Sequence, residues 1–262
     1  MSSLSRRVFL MGASLTGLGL GLASCVTDSA AIKPVVVASA DPATLPAVPV
    51  DGRPTDEITQ PEQPLTPEGT YDYKAIYGQK TDGKFVVPAV DTKRIGPQFL
   101  RAEVDYPTSE QAGTIIVDPR AHYLYYVMGG GRAMRYGVGV GKQGFGWSGT
   151  AEIRYKREWP DWYPPKEMIA RRPDLRGSLA QLQSGVGVRG GPRNPITGRA
   201  MYLWQNNKDT LFRIHGTNEP YSIGHNASSG CIRMIVQDAI DLYSRAPLGG
   251  RVVVLGPGMS EA

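Results

Sequence analysis

Residues 214–234 read IHGTNEPYSIGHNASSGCIRM, and they join a strand-like run that ends at His215 to a second periodic run that follows Cys231. The apolar residues after the cysteine recur at spacings of 3, 4 and 3, at Ile232, Ile235, Ala239 and Leu242. This spacing is typical of one face of a helix. We therefore predict a strand that ends at His215, a returning loop, and a helix that opens at Cys231, with the two side chains meeting across the loop.

The residue types at 215 and 231 favour nucleophilic catalysis. A cysteine thiol with a pKa of about 8.5 is a poor nucleophile at neutral pH until an imidazole takes its proton. His215 and His225 lie within 16 residues of Cys231, and a helix N-terminus beside the sulfur would also favour the thiolate. Gly230 leaves backbone N–H groups open to a developing oxyanion. The residues alone predict a cysteine acyl-transfer site, in which His225 is interpreted as a loop residue, with an active-site role as the alternative.

The sequence around this stretch predicts a mainly β domain with one clear helix, an α+β fold class. β-branched and aromatic runs bounded by turn residues indicate strands. We expect strands at residues 114–117, 122–127, 134–140, 201–204, 211–214 and 251–255. His122, which alternates with apolar neighbours in the second run, is interpreted as structural.

Two further segments of the domain have an unusual composition. Gly-x-Gly-x-Gly at residues 137–141 lacks the Lys-Ser/Thr of a phosphate loop and no helix pattern follows it, which favours a strand with close backbone contacts. Residues 159–198 are rich in Pro, Arg and Trp, and a long loop within a compact domain is usually functional or disordered. We expect these residues to form a partly ordered cover over the site.

The first 25 residues indicate an export signal rather than a part of the fold. Residues 5–10, SRRVFL, resemble a twin-arginine signal, and residues 8–23 are too short and glycine-rich for a comfortable transmembrane helix. Residues 22–25, LASC, resemble a lipobox in which Cys25 is acylated. We expect an exported, membrane-anchored lipoprotein of the cell envelope or periplasm. An uncleaved anchor helix, or cleavage with release into the periplasm, are the alternatives.

Residues 26–70 and 71–111 precede the predicted catalytic domain. The first segment holds eight of the 21 prolines and no aromatic residue, so it cannot bury enough apolar surface to order itself. We expect a disordered, extended tether, used to space the domain from a membrane or present as a mere spacer. Residues 71–111 regain aromatics and are expected to pack on the domain, although their role is not visible in the sequence.

Charge and cysteine count narrow the classes of partner and site. The formal charge is +5, but the basic residues are too dispersed for a nucleic-acid surface, where they cluster with aromatics. The chain has two cysteines, Cys25 and Cys231, and a disulfide between them is the alternative to one lipidated and one catalytic cysteine. A zinc site from Cys231, His215 and His225 is a further alternative, but their spacing fits no zinc motif. We therefore expect neither a metal nor an organic cofactor.

The paired motifs resemble those of the YkuD-type L,D-transpeptidases. That family carries His-Gly-Thr, a loop, and then Ser-His-Gly-Cys followed by an apolar residue and Arg or Asn. The matching residues here are 214–217, 230–233 and Asn194-Pro195, and the resemblance covers residues 112–256. It implies a YkuD-type mixed β-sandwich catalytic domain, with Cys231 as the nucleophile and His215 as its base.

The resemblance also implies supporting roles for the neighbouring residues. Gly216 would orient the imidazole through its carbonyl, and Gly230 and Ser229 would belong to the set that binds the oxyanion or orients the site. Arg233 is a candidate for binding a substrate carboxylate, with a structural ion pair as the alternative. The further candidate substrate-binding residues are Thr217 and Asn218.

One position departs from the family pattern, because Ser229 stands where the family has a histidine before Gly-Cys. Either that histidine is dispensable, or its role is taken by Ser228, Ser229 or His225. The departure affects the finer electrostatics of the pocket but leaves the pairing of Cys231 with His215 intact.

The resemblance implies an enzyme that acts on peptidoglycan stem peptides. Cys231 would form a thioester with the third residue of a donor stem and release D-alanine, and an amine of a second stem would resolve it to a 3→3 cross-link. Water, a free D-amino acid or a protein lysine are the alternative acceptors, and carbapenems are the expected covalent inhibitors. The rival from another class is a non-enzymatic wall-binding lipoprotein that retains the fold.

Overall fold

The computed structural model describes residues 70–141, 147–164, 166–171, 173–228 and 230–256. The predicted signal, the lipidation site at Cys25 and the tether lie outside the described residues, and so does Ser229. Within the described part of the chain, no helix has both the length and the apolar character needed to cross a membrane.

The described residues form short helices and many strands. The α-helices are α1 (Tyr73–Tyr77), α2 (Lys166–Arg171) and α3 (Val236–Arg245). The strands are β1 (Lys80–Asp82), β2 (Phe85–Val87), β3 (Ala102–Asp105), β4 (Ile115–Asp118), β5 (Tyr123–Gly129), β6 (Arg132–Gly137), β7 (Val140–Gly141), β8 (Gly149–Glu158), β9 (Leu179–Leu182), β10 (Gly185–Val188), β11 (Thr197–Gln205), β12 (Lys208–Gly216), β13 (Asn226–Ser228), β14 (Ile232–Met234) and β15 (Arg251–Val254). The prediction of a mainly β fold is confirmed.

Nine of these strands form one mixed sheet in the order β14-β12-β11-β8-β15-β4-β5-β6-β3. Two neighbouring pairs, β12 with β14 and β15 with β4, run parallel, and the other neighbours run antiparallel. Three small two-stranded sheets accompany it: β1 with β2, β9 with β10, and β7 with β13. The parallel pair at the β14 edge places the two sequence motifs side by side.

Helix α3 is the main helix of the domain, and it covers β11 and β12. Its residues Ala239 and Leu242 are fully buried together with Met201 and Ile214 of the sheet. The apolar spacing read from the sequence therefore identifies the correct face of this helix. Burial of this face on the sheet supplies much of its stability, since an isolated ten-residue helix is marginal in water.

The predicted start of that helix is wrong. The helix begins at Val236, and Cys231 instead precedes the short strand β14, in which Ile232 pairs with Ile214 of β12. Ile232 and Met234 are buried while Arg233 between them is not, which is the period of a strand. Pairing with β12 thus overrides the local helical spacing. The prediction that a helix N-terminus lies beside the sulfur is therefore wrong as well.

Strand β8 lies in the interior of the sheet, between β11 and β15, and was not predicted from the sequence. Its ten residues, GTAEIRYKRE, include five charged ones, and only Ala151 and Ile153 are buried. Neighbours on both sides, β11 and β15, supply the backbone partners that make it a strand. Weak apolar alternation therefore concealed a central element.

Residues 159–198 contain secondary structure of their own. They include α2, a 3₁₀ turn at Pro173–Ser178 and the β9–β10 hairpin, followed by the start of β11. The buried amide of Asn194 holds this excursion together, because its Nδ2 donates to the carbonyls of Pro160, Val188 and Arg189 at 3.1, 3.0 and 3.2 Å. Asn194 of the upstream Asn194-Pro195 match thus has an architectural role here.

The lead-in residues pack against α3. The Tyr77 hydroxyl donates to Asp238 at 3.1 Å and accepts from the backbone N–H of Arg101 at 2.8 Å. The Arg101 side chain lies 2.9 Å from Asp241 and 3.7 Å from Asp238. These residues form a cluster, called here the buried cluster, that fastens the lead-in to α3.

The glycine-rich residues 137–141 make the close backbone contacts that the sequence predicted. A Cβ atom added to Gly137 would lie 2.4 Å from the carbonyl oxygen of Phe99, and one added to Gly139 would lie 2.7 Å from that of Ser222. Gly139 also exchanges two backbone hydrogen bonds with Arg233. The prediction of close backbone contacts is confirmed, and this segment lies directly beside β14.

Candidate active site

The parallel register of β12 and β14 brings the two motifs into one corner of the sheet. His215 pairs with Arg233, so Cys231, just before β14, falls opposite Arg213. Alternation along β12 places Arg213 and His215 on one face, while Ile214 points into the core. Two residues along a strand and one strand across correspond to a Cα separation of about 8 Å between positions 215 and 231. Positions 215 and 231 are thus neighbours in the fold.

His215 is buried, and its ring is held by a neighbouring carbonyl. Its Nδ1 lies 2.8 Å from the carbonyl oxygen of Gly216. Because a carbonyl can only accept, this contact assigns the proton to Nδ1 and leaves Nε2 as the acceptor. Burial lowers the pKa of His215 to about 4, helped by the positive charges of Arg233 and Arg213 and opposed by the Gly216 hydrogen bond. The imidazole is therefore neutral at pH 7 and can act as a base.

Gly216 has no room for a side chain. A Cβ atom at this position would lie 2.3 Å from the carbonyl oxygen of Thr197 and 3.4 Å from Ala239 of α3. The close packing of β11, β12 and α3 thus fixes the direction of the Gly216 carbonyl. That fixed carbonyl sets the orientation of the His215 ring.

The environment of Cys231 keeps its thiol protonated while surrounding it with positive charge. Burial raises the pKa of the Cys231 thiol. The charge of Arg213, a hydrogen bond from the Arg213 backbone N–H and the charge of Arg233 lower that pKa, and Asp209 raises it. Together with the neutral His215, this arrangement describes a thiol and imidazole that are both uncharged at rest.

Gly230 supports the cysteine from the preceding position. Its φ of +144° lies in the region that favours glycine. A Cβ atom there would lie 3.3 Å from the ring of Phe212, which in turn packs against Trp147 with ring centroids 5.6 Å apart. A side chain at 230 would therefore strain the backbone beside the thiol.

Arg233 already has a carboxylate partner in the structure. Its Nη1 donates to Glu219 Oε2 at 2.8 Å, and the Glu219 side chain is half exposed. The structural ion pair, the alternative considered for Arg233, is thus present. A substrate carboxylate would have to share Arg233 with Glu219 or displace it.

The other two candidate substrate-binding residues shape the loop between the motifs. The buried Thr217 donates its backbone N–H to Met234 at 2.9 Å, and its Oγ1 accepts from the Glu219 N–H at 3.1 Å. Asn218 Nδ2 donates to the carbonyl of Arg193 at 3.1 Å, which ties this loop to the segment of residues 159–198. Their visible contacts are therefore architectural.

The sequence reasoning missed an ion pair beside the cysteine. Arg213 donates through both Nη atoms to the two carboxylate oxygens of Asp209, each at 2.7 Å. Its guanidinium lies 4.5 Å from the ring centroid of Tyr202, the residue that pairs with Arg213 on β11. The only signal in the sequence was that Arg213 lies two positions before His215, on the same face of a strand.

The remaining histidines lie on connecting segments. His225 is exposed, and its carbonyl accepts from the Val140 N–H at 3.2 Å. His122 Nε2 lies 2.9 Å from Asn226 Oδ1, which fits a structural interpretation. Among the described residues, no three His, Cys, Asp or Glu side chains are grouped so that they could hold a metal ion.

The matching family model and the curated relatives are all described as L,D-transpeptidases. The family model described as the L,D-transpeptidase catalytic domain, YkuD, matches residues 112–254. "Probable L,D-transpeptidase YbiS" of Escherichia coli K12 is 29% identical over 56% of this chain and 45% of its own length. "Probable L,D-transpeptidase ErfK/SrfK" of the same strain is 27% identical over 76% of this chain and 62% of its own length. The chain thus spans about half the length of the curated relatives it matches.

One solved structure has a higher sequence identity. It is described as a "Probable carnitine operon oxidoreductase caia" from Brucella melitensis, and it is 49% identical to this chain. The match covers 63% of this chain and 99% of that one, with a TM-score of 0.41. A TM-score this low supports no functional comparison.

Proposed function

We propose that this chain, which belongs to the YkuD family of L,D-transpeptidase catalytic domains, is an L,D-transpeptidase that works through a thioester on Cys231. The observation that carries the proposal is the neutral His215, whose Nδ1 is held by Gly216 and whose Nε2 is left as an acceptor, at a position next to Cys231 in the sheet register. A base in this state needs no prior deprotonation before it accepts a proton.

In the acylation step, His215 Nε2 takes the proton from the Cys231 thiol as the sulfur attacks the carbonyl carbon of the third residue of a donor stem. The C–S bond forms and the carbonyl oxygen becomes an oxyanion, which backbone N–H groups at Gly230 and Cys231 would receive. When the C–N bond to D-alanine breaks, the imidazolium returns its proton to the leaving amine. The products are a thioester and free D-alanine.

In the second step, an amine of another stem attacks the thioester carbonyl. His215 takes the proton that this amine loses and returns it to the departing sulfur of Cys231. The product is a 3→3 cross-link, and the enzyme regains its resting thiol and imidazole. The first step gives the proton of the pair to D-alanine, and the second step restores it from the acceptor amine.

The cover expected at residues 159–198 supports an amine acceptor over water. Asn194 ties its two ends together, and Asn218 joins it to the loop between the motifs. A site that excludes water protects a thioester from hydrolysis. Water, a free D-amino acid or a protein lysine as the acceptor are the alternatives that product analysis separates.

Export and anchoring complete the proposal. The twin-arginine sequence at residues 5–10 and Cys25 in the lipobox support a lipoprotein in the cell envelope, where peptidoglycan is found. Metabolic labelling with a fatty-acid analogue tests this part. Incorporation that is lost in Cys25→Ala supports the anchor, and unchanged incorporation contradicts it.

The catalytic proposal is tested by incubating the protein with tetrapeptide muropeptides and analysing the products by mass spectrometry. We expect cross-linked dimers and free D-alanine from the wild type. His215→Ala should lose at least about a hundredfold in rate, because general base catalysis contributes about that much, while the matched control His122→Ala should retain activity. Tripeptide monomers without dimers would indicate water as the acceptor. Absence of dimers, tripeptides and acyl-enzyme would contradict the proposal.

A further inference from the structure

We infer that the Arg213–Asp209 ion pair sets the reactivity of the Cys231 sulfur, with Arg213 as the electrostatic partner of the thiolate and Asp209 as the group that limits its effect. This inference rests on the proposed function only in taking Cys231 as the nucleophile. It assigns a role to two residues outside the His-Gly-Thr and Gly-Cys-Ile-Arg motifs.

The sheet register places Arg213 beside the sulfur. Since Ile214 pairs with Ile232, Arg213 is the residue of β12 that lies opposite Cys231. The charge of Arg213 and a hydrogen bond from its backbone N–H both lower the pKa of the Cys231 thiol. Arg213 therefore occupies the position of β12 next to the residue that carries the sulfur.

The guanidinium is held in place by its other neighbours. Asp209 accepts from both of its Nη atoms, and the ring of Tyr202 lies under it. Asp209 is fixed in turn, because its Oδ1 also accepts from the backbone N–H of Leu211 at 2.8 Å. Both members of the pair are largely buried, so solvent screens their charges less than on an open surface. The pair is a rigid charge source rather than a mobile surface contact.

The charged and titratable groups around Cys231 come from three strands. Arg213, Asp209 and His215 belong to β12, Arg233 to β14 and Tyr202 to β11. His215 is neutral at rest and carries charge only after it has taken the proton. Arg233 is the second cation, but the half-exposed Glu219 pairs with it. Arg213 is therefore the principal charge that favours the thiolate, and Asp209 offsets part of it.

The opposite signs of the two charges give the inference a sharp test. The rate of Cys231 alkylation by iodoacetamide is measured against pH on the full chain, with the modified peptide identified by mass spectrometry so that Cys25 does not contribute. Arg213→Gln should move the midpoint upward by about one pH unit and lower the rate at pH 7 about tenfold. Asp209→Asn should move the midpoint downward and raise the rate at pH 7 about threefold. Arg213→Lys keeps the charge although it loses the bidentate geometry, so it should stay within about threefold of the wild type.

Two results would overturn the inference. One is an unchanged midpoint in Arg213→Gln, and the other is an upward shift of similar size in both Arg213→Gln and Asp209→Asn, which would indicate lost packing rather than lost charge. Circular dichroism checks that each variant is folded. If Arg213→Gln does not fold, Asp209→Asn and Arg213→Lys decide, because a downward shift in the first with little change in the second is expected from charge alone.

The same variants separate this inference from the proposed function. If the midpoints shift as expected but the wild type forms no acyl-enzyme with muropeptides, the electrostatic inference stands and the transpeptidase proposal fails. If acyl-enzyme and dimers form but the midpoints do not respond to Arg213 and Asp209, the transpeptidase proposal stands and the inference fails.

Discussion

Two arginine–aspartate groups in this domain use the same residue types for different ends. The Arg213–Asp209 pair lies beside Cys231, with side chains 14% and 11% exposed. The buried cluster joins Arg101 of the lead-in to Asp238 and Asp241 of α3, with side chains 4%, 0% and 9% exposed. The first pair acts on a reactive group at the edge of the sheet, whereas the second holds two parts of the chain together.

The difference lies in how well each carboxylate is matched to its cation. Asp209 receives two short hydrogen bonds from a single guanidinium. Asp238 lies 3.7 Å from Arg101, and its burial raises its pKa to about 7 even though the Arg101 charge works in the opposite direction. A fully buried carboxylate with an imperfect partner is costly to ionise. The buried cluster therefore makes stability depend on pH, while the Arg213–Asp209 pair affects reactivity.

The largest expected effect comes from breaking the buried cluster. Arg101→Met would leave Asp238 without its cation, while Asp241 keeps its ion pair with Arg245, and should destabilise the protein by about 3–5 kcal/mol. Arg132→Met is the matched control, because Arg132 pairs with Glu103 at a 40% exposed site, and its effect on stability should be much smaller because solvent screens this pair. Urea unfolding measures both. Equal losses in the two variants would mean that the cluster does not fasten the lead-in.

A smaller effect is expected from removing one hydroxyl of the same cluster. Tyr77→Phe deletes the group that donates to Asp238 and accepts from the Arg101 N–H. Leaving these buried partners unsatisfied should cost about 1–3 kcal/mol. Tyr163→Phe at an exposed position is the control. A Tyr77→Phe variant as stable as the wild type in urea would show that the hydroxyl carries no net stabilisation.

The pH dependence of stability gives a third test. An unfolded Asp has a pKa of about 3.9, and that of folded Asp238 is about 7. Between these values the folded chain keeps a proton that the unfolded chain has released, so the free energy of unfolding falls as pH rises through that window. Asp238→Asn should remove this fall. A wild-type-minus-variant difference that does not change with pH would contradict the assignment.

His215 contributes to the same experiment with the opposite sign. Its folded pKa of about 4 lies below its unfolded value of about 6.5. Between these values the unfolded chain holds more protons, so His215 adds stability as pH rises. Comparing Asp238→Asn with the wild type, in which His215 is common to both, isolates the aspartate.

Much of the fold could be predicted from apolar patterning, and the errors have identifiable causes. The runs in β4, β5, β11 and β15 are β-branched or aromatic and were placed correctly. The helix start was misplaced because Ile232 fits both the helical spacing and the two-residue period of β14, and only the partner strand β12 decides between them. Strand β8 was missed because its charged residues weaken the apolar alternation, although the strand lies between two neighbouring strands.

The candidate site, like the fold, could be predicted only in part from the sequence. Cys231, His215 and Gly216 stand out in the sequence because their spacing carries chemistry. Asp209 and Arg213 look like an ordinary pair four residues apart on a strand, and only the register reveals that Cys231 lies opposite. The contact between Tyr77 and Asp238 spans 161 positions, so no local sequence pattern could predict it.

The central claim is that Cys231 is the residue that becomes acylated. Intact-mass measurement of the wild type and Cys231→Ala, after each is exposed to a carbapenem, tests it most directly. We expect the wild type to gain the mass of one drug molecule and Cys231→Ala to gain none. An adduct on both proteins, or an unmodified wild type, would contradict the account.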